Sequence, residues 1–202
     1  MIDKPILYNY FRSSTSVRVR IALNLKNIDY QYEALHLRKK EHQTDSYLKI
    51  NPYGLLPTLE FPSGIIINQS LAILEYLDEV YPTPSILPLN PIDRAKVRSM
   101  AYGIALEIHP LNNLHVLNHL KDDFMADDQT IKSWFSKWVH KAFGPFEKVL
   151  NSDEDVGLYC FGDEPTLADI CLFSQVVNNA RFDVDLSKYP KRSKYLIKLN
   201  EI

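Results

Sequence analysis

The stretch YNYFRSSTSVRVRIAL, residues 8–23, places four consecutive hydroxyl residues, Ser13 to Ser16, between an aromatic run and an apolar segment. The residues at 5–10 are rich in β-forming types and predict a strand. The spacing that follows predicts a helix from about Ser16 to Lys26. Two arginines in its first turns oppose the helix dipole, which favours negative charge there. Hydroxyls and positive charge at one helix start indicate an anionic ligand.

The neighbouring sequence predicts a small α/β domain of order βαβαββα. Residues 30–35 alternate in period two, as a strand does, and the polar stretch at 38–50 becomes weakly helical. Two short strands follow, separated by a turn at 62–64. The leucines of residues 69–81 have the spacing of an amphipathic helix.

A proline-rich segment separates this domain from a helical remainder, with four prolines in residues 81–91. Pro91 suits the first turn of the next helix. The predicted helices beyond it cover roughly residues 92–120, 129–151, 167–179 and 188–200. The predicted segments are an α/β domain at 1–80, a linker at 81–90 and an all-helical domain at 91–202.

Composition narrows the class of protein. The 202 residues carry a formal net charge of -2, which argues against a general role on nucleic acid or membrane surfaces. The first 50 residues nevertheless hold nine Lys/Arg against five Asp/Glu, so this portion is suited to an anionic partner. No apolar span approaches 18 residues, the N-terminus lacks a signal-peptide pattern, and two cysteines lack metal-ligand spacing. We expect a cytoplasmic protein without a metal site.

Two further motifs are typical of ligand binding. In NPYGLLPTL, Pro57 opens a strand either as an ordinary trans proline or as a cis proline. A cis bond would turn the N–H and C=O of Leu56 towards a peptide ligand. In NQSLAIL, Gln69 and Ser70 begin a helix whose free N–H groups can bind a carboxylate, although a simple serine cap is equally consistent. Together the two helix starts could hold both ends of one small anion.

Five motifs, SSTSVRVRIAL, NPYGLLPTL, QSLAILEYL, EIHPLNNLHVL and GDEPTLADICL, resemble those of zeta-class glutathione transferases, the maleylacetoacetate isomerase family. The similarity runs from about Lys4 to Tyr189. It implies a thioredoxin-like N-terminal domain and an all-α C-terminal domain, the glutathione transferase fold. It also implies a homodimer, glutathione as cofactor and a small anionic substrate. The resemblance favours the cis form of Pro57.

The same resemblance implies roles for individual residues. The catalytic group is Ser14 with Ser13 and Thr15, which would line the sulfur of glutathione. Thr15 stands where the family typically has cysteine; it can hydrogen-bond a thiolate but cannot be a nucleophile in the cysteine's place. We therefore expect Ser14 and bound glutathione to carry the chemistry. The other implied cofactor-binding residues are Leu56, Pro57, Gln69, Ser70, His109, Asn113 and His42, with Gln43 as the alternative to His42.

The implied substrate-binding residues are Arg12, Arg18, His109, Asn112 and His115. Arg18 and Arg20 cannot share a helix face, so one is expected at the active-site mouth and the other in a structural ion pair. The polar cluster about Pro110, where the helix should bend, is expected to form a wall of the substrate cleft. Many family members carry arginine in place of His115, so recognition of substrate charge would be weaker or pH-sensitive here.

Other motifs have structural interpretations. Thr166 and Asp169 have the spacing of a capping box and should matter for folding. Cys160 and Cys171 are expected to be inert core thiols. The aromatic residues Trp134, Phe135 and Trp138 fit the packing face of a helix.

The implied activity is glutathione-dependent cis–trans isomerisation of maleyl-type diketo acids, as in the conversion of maleylacetoacetate to fumarylacetoacetate in tyrosine breakdown. Three alternatives stay open at this point. The substrate could be maleylpyruvate. The same thiolate could be transferred to small haloacid-like electrophiles. The fold could also serve as a non-catalytic binding protein.

Overall fold

The computed structural model describes residues 3–190, which divide into two compact units between Ser85 and Ile86. The first unit contains a four-stranded sheet and three α-helices in the predicted order βαβαββα. Its strands are β1 (Ile6–Asn9), β2 (Gln31–Ala34), β3 (Thr58–Glu60) and β4 (Ile66–Asn68). Its helices are α1 (Ser14–Leu25), α2 (Asp45–Leu48) and α3 (Ser70–Val80), with 3₁₀ turns at Leu37–Lys39 and Glu41–Gln43.

The sheet is mixed, with strand order β2-β1-β3-β4. Strand β1 runs parallel to β2 through the crossover of α1, while β3 is antiparallel to both β1 and β4. The β3–β4 turn lies at the predicted position and uses Gly64 at φ 82°, a conformation that glycine adopts without strain. Leucine side chains from the sheet and from α3 have no exposed surface: Leu7, Leu59, Leu74 and Leu77.

The end of α1 is joined to the proline-rich segment by a buried lysine. The Nζ atom of Lys26 lies 2.9 Å from Asp78 Oδ1 on α3. It also donates to the carbonyl oxygens of Tyr81 and Pro84, at 2.6 and 2.8 Å. Since both charged side chains are almost fully buried, loss of either partner would leave an uncompensated charge in the interior. The pair therefore fixes residues 81–84 to α1 and α3.

The second unit is all-helical over its described part. Its helices are α4 (Pro91–Ala105), α5 (His109–Asn112), α6 (Leu114–Asp122), α7 (Asp128–Ser152) and α8 (Leu167–Ala180). Pro91 occupies the first turn of α4, as predicted, and the Asn90 side chain caps that helix by accepting from the N–H of Ile92 at 2.8 Å. The predicted helix at 188–200 lies almost entirely outside the described residues.

The expectation of one bent helix over residues 92–120 is wrong, because the chain is interrupted twice. Helix α4 ends at Ala105, and α5 ends before Asn113, whose backbone is extended at φ -76° and ψ 164°. The Asn113 side chain accepts from the N–H of Val116 at 3.1 Å and so starts a new helix. A side-chain cap of this kind competes with helix continuation, so Pro110 marks only part of the break.

The capping box at α8 is confirmed. The carboxylate of Asp169 accepts from the N–H and the hydroxyl of Thr166, at 2.9 and 2.7 Å. Its second oxygen accepts from the N–H of Cys160 at 2.8 Å. The two cysteines, Cys160 and Cys171, are fully buried and unpaired with each other, and burial raises the pKa of the Cys160 thiol. The Asp169 carboxylate therefore joins the segment at Cys160 to the start of α8.

The aromatic residues of α7 have the predicted packing role. Phe135 is fully buried and stacks on Phe182 with ring centroids 3.8 Å apart. Trp134 donates its indole N–H to the carbonyl of Leu111 at 2.9 Å and contacts Trp138 edge to face. Across residues 3–190, no helix combines the length and apolar character needed to cross a membrane.

Candidate active site

A chain of hydroxyl groups begins α1. Ser13 is the N-cap, and its Oγ accepts from the N–H of Ser16 at 3.2 Å. The Oγ atoms of Ser13 and Thr15 are 2.8 Å apart, and Thr15 Oγ1 donates to the carbonyl oxygen of Leu56 at 3.1 Å. Ser14 and Thr15 are themselves buried, with 5% and 9% exposure. The α1 start is therefore bonded directly to the segment that precedes β3.

Counting protons separates the roles of these hydroxyls. A hydroxyl has one proton to donate, and that of Thr15 goes to the Leu56 carbonyl. The bond between Thr15 and Ser13 must then be donated by Ser13, so both protons are used inside the protein. Ser14, the third hydroxyl predicted at the sulfur, is the first residue of α1 and lies between these two in the sequence. The hydroxyls of Ser13 and Thr15 thus bond to other groups of the protein, whereas the sequence predicted that both would contact the sulfur directly.

The Leu56–Pro57 bond is cis, which confirms the form that the resemblance favoured. The loop before it is fixed by Tyr47 and Asn51, whose side chains both donate to the carbonyl of Leu55, at 2.7 and 2.9 Å. The N–H of Leu56 has no acceptor within residues 3–190. This segment therefore presents a backbone donor next to the hydroxyls of α1.

The start of α3 lies one helical turn further along α1. Gln69 precedes α3 with φ 69° and ψ 112°, a strained conformation for a residue other than glycine. Ser70 begins the helix and is 5% exposed, and its Oγ accepts from Arg18 Nη1 at 3.3 Å. Helix α1 therefore contacts both the Leu56 segment and the start of α3, the two places where the ends of the anion are predicted to bind.

Comparisons with known proteins agree with this geometry. The family model "Glutathione S-transferase, N-terminal domain" matches residues 12–80, and "Glutathione S-transferase, C-terminal domain" matches residues 115–202. The mouse (Mus musculus) protein named maleylacetoacetate isomerase is 47% identical over 189 residues, covering 93% of this chain and 83% of its own. This chain belongs to the glutathione S-transferase family.

Solved structures narrow the class. A holo maleylpyruvate isomerase, described as a bacterial zeta-class glutathione S-transferase, superposes with TM-score 0.95 at 43% identity, covering 98% of this chain and 92% of its own. A maleylacetoacetate isomerase from Methylobacterium extorquens AM1, with bound malonate and glutathione, has TM-score 0.92 at 32% identity, covering 96% and 91%. Within the glutathione transferases, the chain is therefore a zeta-class member.

In this glutathione transferase the two arginines of α1 differ from expectation. Arg18, predicted as a substrate contact, is 2% exposed and lies against Ser70 instead of at a cleft mouth. Arg20 was expected in an ion pair, but it donates to the neutral Asn9 side chain at 3.2 Å and to the Phe11 carbonyl at 3.3 Å. Helical spacing separated the two faces correctly, whereas the packing of α3 decides which face is buried. Arg12 is exposed, and its contact with the substrate stays a prediction.

His42 and Gln43 were alternatives for the glycyl end of glutathione. The Gln43 amide donates to the carbonyl of Gly54 at 2.8 Å and so holds the loop at φ 57°. The Nδ1 atom of His42 is buried without a partner among the described residues, and burial lowers the pKa of this imidazole. Because Gln43 is engaged inside the protein, the contacts favour His42. Its contact with glutathione stays a prediction.

The polar cluster about Pro110 does not share one environment. Asn112 is 4% exposed and donates to the Phe135 carbonyl at 3.0 Å, so its amide is tied to α7. Asn113 caps α6 and donates to the Pro110 carbonyl at 3.1 Å. His109 is partly buried and His115 is exposed. The contacts of both asparagines are structural. Ligand contact by His109 and His115 stays a prediction.

Sequence reasoning missed the support that this zeta-class site receives from Tyr47 and Asn51. Both side chains also contact Thr58 Oγ1, at 2.8 and 3.0 Å, and both residues are buried. The available signal was the asparagine that opens NPYGLLPTL and a tyrosine four residues before it, and the motif by itself indicates a turn. Within the part of the chain that the structure describes, no cluster of three His, Cys, Asp or Glu could hold a metal ion.

Proposed function

We propose that this protein catalyses the glutathione-dependent cis–trans isomerisation of maleyl-type diketo acids, converting maleylacetoacetate to fumarylacetoacetate. The observation that carries the proposal is the α1 start, where the Ser13–Thr15–Leu56 hydrogen-bond chain joins the hydroxyl run to the cis Leu56–Pro57 segment. Ser14 is the first residue of that helix, where the dipole favours an anion. The zeta-class relatives named above and the bound glutathione and malonate of one of them support both the cofactor and a small dicarboxylate substrate.

The residues present fit glutathione. The N–H of Leu56 is a donor without an acceptor in residues 3–190, as suits pairing with the cysteinyl backbone. The start of α3, with Gln69 and Ser70, suits the γ-glutamyl carboxylate because free N–H groups and the helix dipole bind anions there. His42 would meet the glycyl end. Glutathione supplies a thiolate that adds to the conjugated double bond, permits rotation about it and then leaves.

The protein's part is to hold that sulfur ionised. An ordinary thiol has a pKa of about 8.5 and is only a few per cent ionised at neutral pH. Ser14 would donate its hydroxyl to the thiolate, and the positive end of the α1 dipole favours the same charge. Lowering the thiol pKa by about two pH units requires about 2.7 kcal/mol. One hydrogen bond to a charged group together with a helix start can supply that amount.

The substrate is a dianion, and charge that develops on its oxygens needs positive partners. Arg12 is exposed next to the hydroxyl run and is our candidate for this role. The local excess of Lys and Arg in the first 50 residues also attracts such a substrate. His109 and His115 are the further candidates from the helical unit.

The test is isomerase turnover on maleylacetoacetate and on maleylpyruvate, each with and without glutathione. We expect glutathione-dependent turnover that regenerates glutathione, and a large loss of turnover in Ser14→Ala. Equal rates with and without glutathione, or no isomerisation of either acid, would remove the proposal. The likeness to a maleylpyruvate isomerase makes that acid the second candidate substrate, and the ratio of kcat/KM values decides between them. A net thioether product from a haloacid would indicate transferase chemistry instead.

Three wider assignments belong to the same proposal and rest on the family resemblance. They are a homodimer, a cytoplasmic location and a place in tyrosine breakdown. The two buried cysteines form no disulfide with each other, which is compatible with a reducing compartment. We also keep the assignment of residues 1–80 to glutathione binding, 81–90 to a linker and 91–202 to substrate binding. Sedimentation analysis of the purified protein tests the dimer.

A further inference from the structure

The contact between Arg18 and Ser70 has a consequence for ligand recognition. We propose that Arg18 is a positioning residue that directs the hydroxyl proton of Ser70 towards the γ-glutamyl carboxylate of glutathione. This inference rests on the proposed function, because it assigns a role within the same glutathione site. It replaces the expectation that Arg18 contacts the substrate.

The protons available to Arg18 and Ser70 fix which of them donates the hydrogen bond between them. A guanidinium can only donate, so Ser70 Oγ must be the acceptor in its 3.3 Å contact with Arg18 Nη1. The serine therefore keeps its own proton for another acceptor. Within residues 3–190 the Ser70 hydroxyl has no such acceptor, although the side chain is 95% buried, with 5% exposure. A buried donor with no internal acceptor is suited to a ligand.

Charge gives this donor its selectivity. Arg18 is 2% exposed, and its guanidinium is a cation that can only donate hydrogen bonds. A hydroxyl that accepts from a cation becomes a better donor, because hydrogen-bonded groups polarise one another. Ser70 also begins α3, where the dipole adds positive potential. These effects act together on a carboxylate at this position and have little influence on a neutral group.

A positioning role of Arg18 can be distinguished from simple packing by how its effect depends on the ligand. An arginine that only packs α1 against α3 would affect every part of the bound tripeptide to a similar extent. A positioning role predicts instead that the effect of Arg18 depends on the ligand's α-carboxylate. Arg20 offers a matched control on the same helix, since its contacts are to the neutral groups of Asn9, Phe11 and Tyr32.

The experiment measures dissociation constants by titration calorimetry for two ligands, glutathione and γ-aminobutyryl-cysteinyl-glycine, which lacks only the α-carboxylate. The proteins are the wild type, Arg18→Met, Arg18→Lys and Arg20→Met. We expect Arg18→Met to weaken glutathione binding at least ~10-fold and analogue binding less than ~3-fold. Arg18→Lys should recover part of the loss because it keeps the charge, and Arg20→Met should not discriminate between the ligands.

Two results would overturn the inference. One is an equal loss for both ligands in Arg18→Met, which would mean a packing role, and the other is unchanged glutathione affinity. If Arg18→Met fails to fold, Arg18→Lys and Ser70→Ala carry the same comparison, because Ser70→Ala must also weaken glutathione more than the analogue. If the wild type binds glutathione and isomerises maleyl acids, but Arg18→Met weakens both ligands equally, only this inference is removed. A wild type that does neither removes the proposed function itself.

Discussion

Replacement of Thr15 by valine tests the proton count at the start of α1. Valine has nearly the shape of threonine, so the change removes the hydroxyl that joins Ser13, at 2.8 Å, to the carbonyl of Leu56, at 3.1 Å. Each such hydrogen bond contributes about 1 kcal/mol to stability. We therefore expect Thr15→Val to lower the free energy of unfolding by about 2 kcal/mol, measured by urea denaturation.

The expected effect on catalysis is much smaller than that of Ser14→Ala. Losing a direct donor to developing charge costs about 10²–10³ in turnover, which is our expectation for Ser14→Ala. Thr15→Val should reduce glutathione-dependent kcat/KM by less than about 10-fold, since its hydroxyl serves Leu56 and only indirectly the sulfur. Thr15→Ser, which keeps the hydroxyl, is the control. If Thr15→Val lost as much turnover as Ser14→Ala while remaining folded, the proton count would be wrong.

Three other changes test the surrounding structure. Lys26→Met should lower the free energy of unfolding by about 3–5 kcal/mol in chemical denaturation, because it leaves the Asp78 carboxylate buried without the lysine's charge. Lys4→Met, at an exposed ion pair, should lower it by less than about 1 kcal/mol. Similar losses for the two variants would contradict the burial argument. Asp169→Ala removes three hydrogen bonds at α8 and should cost about 3 kcal/mol, but calorimetric affinity for glutathione should persist, and a specific loss of affinity would refute its structural role. Because the pKa of His42 is lowered in the folded protein, the unfolded chain binds this proton more readily. The free energy of unfolding should therefore fall as the pH drops below about 6.5, and His42→Gln should flatten that part of the stability-against-pH curve. An unchanged slope in His42→Gln, measured by urea denaturation at several pH values, would speak against this role of His42.

The order of elements could be predicted from the sequence because each depends on local pattern. Alternation, turn residues and helical spacing gave β1 to α3 in the correct order. The start of α1 was placed at Ser16 and lies at Ser14, since four adjacent hydroxyls do not reveal which one is the cap. The predicted end near Lys26 agrees with the structure, where α1 ends at Leu25 and Asn27 follows at φ 52°, the left-handed conformation that ends a helix.

Features that depend on distant residues could not be predicted in this way. The pairing of Lys26 with Asp78, and of Arg18 with Ser70, joins positions 52 residues apart. Such contacts follow from the packing of α1 on α3, which cannot be predicted from local periodicity. The second interruption of the predicted helix at 92–120 was missed for another reason, since an asparagine within a helical pattern is compatible with either a cap or an exposed position.

The most direct measurement of the whole account is the titration of glutathione's thiol while it is bound, followed through the ultraviolet absorbance of the thiolate. We predict that this thiol ionises about two pH units below its free value in the wild type, and that Ser14→Ala returns most of the difference. A bound thiol that titrates as it does in water, or one that is insensitive to Ser14→Ala, would contradict the claim that this hydroxyl and the start of α1 hold the sulfur ionised.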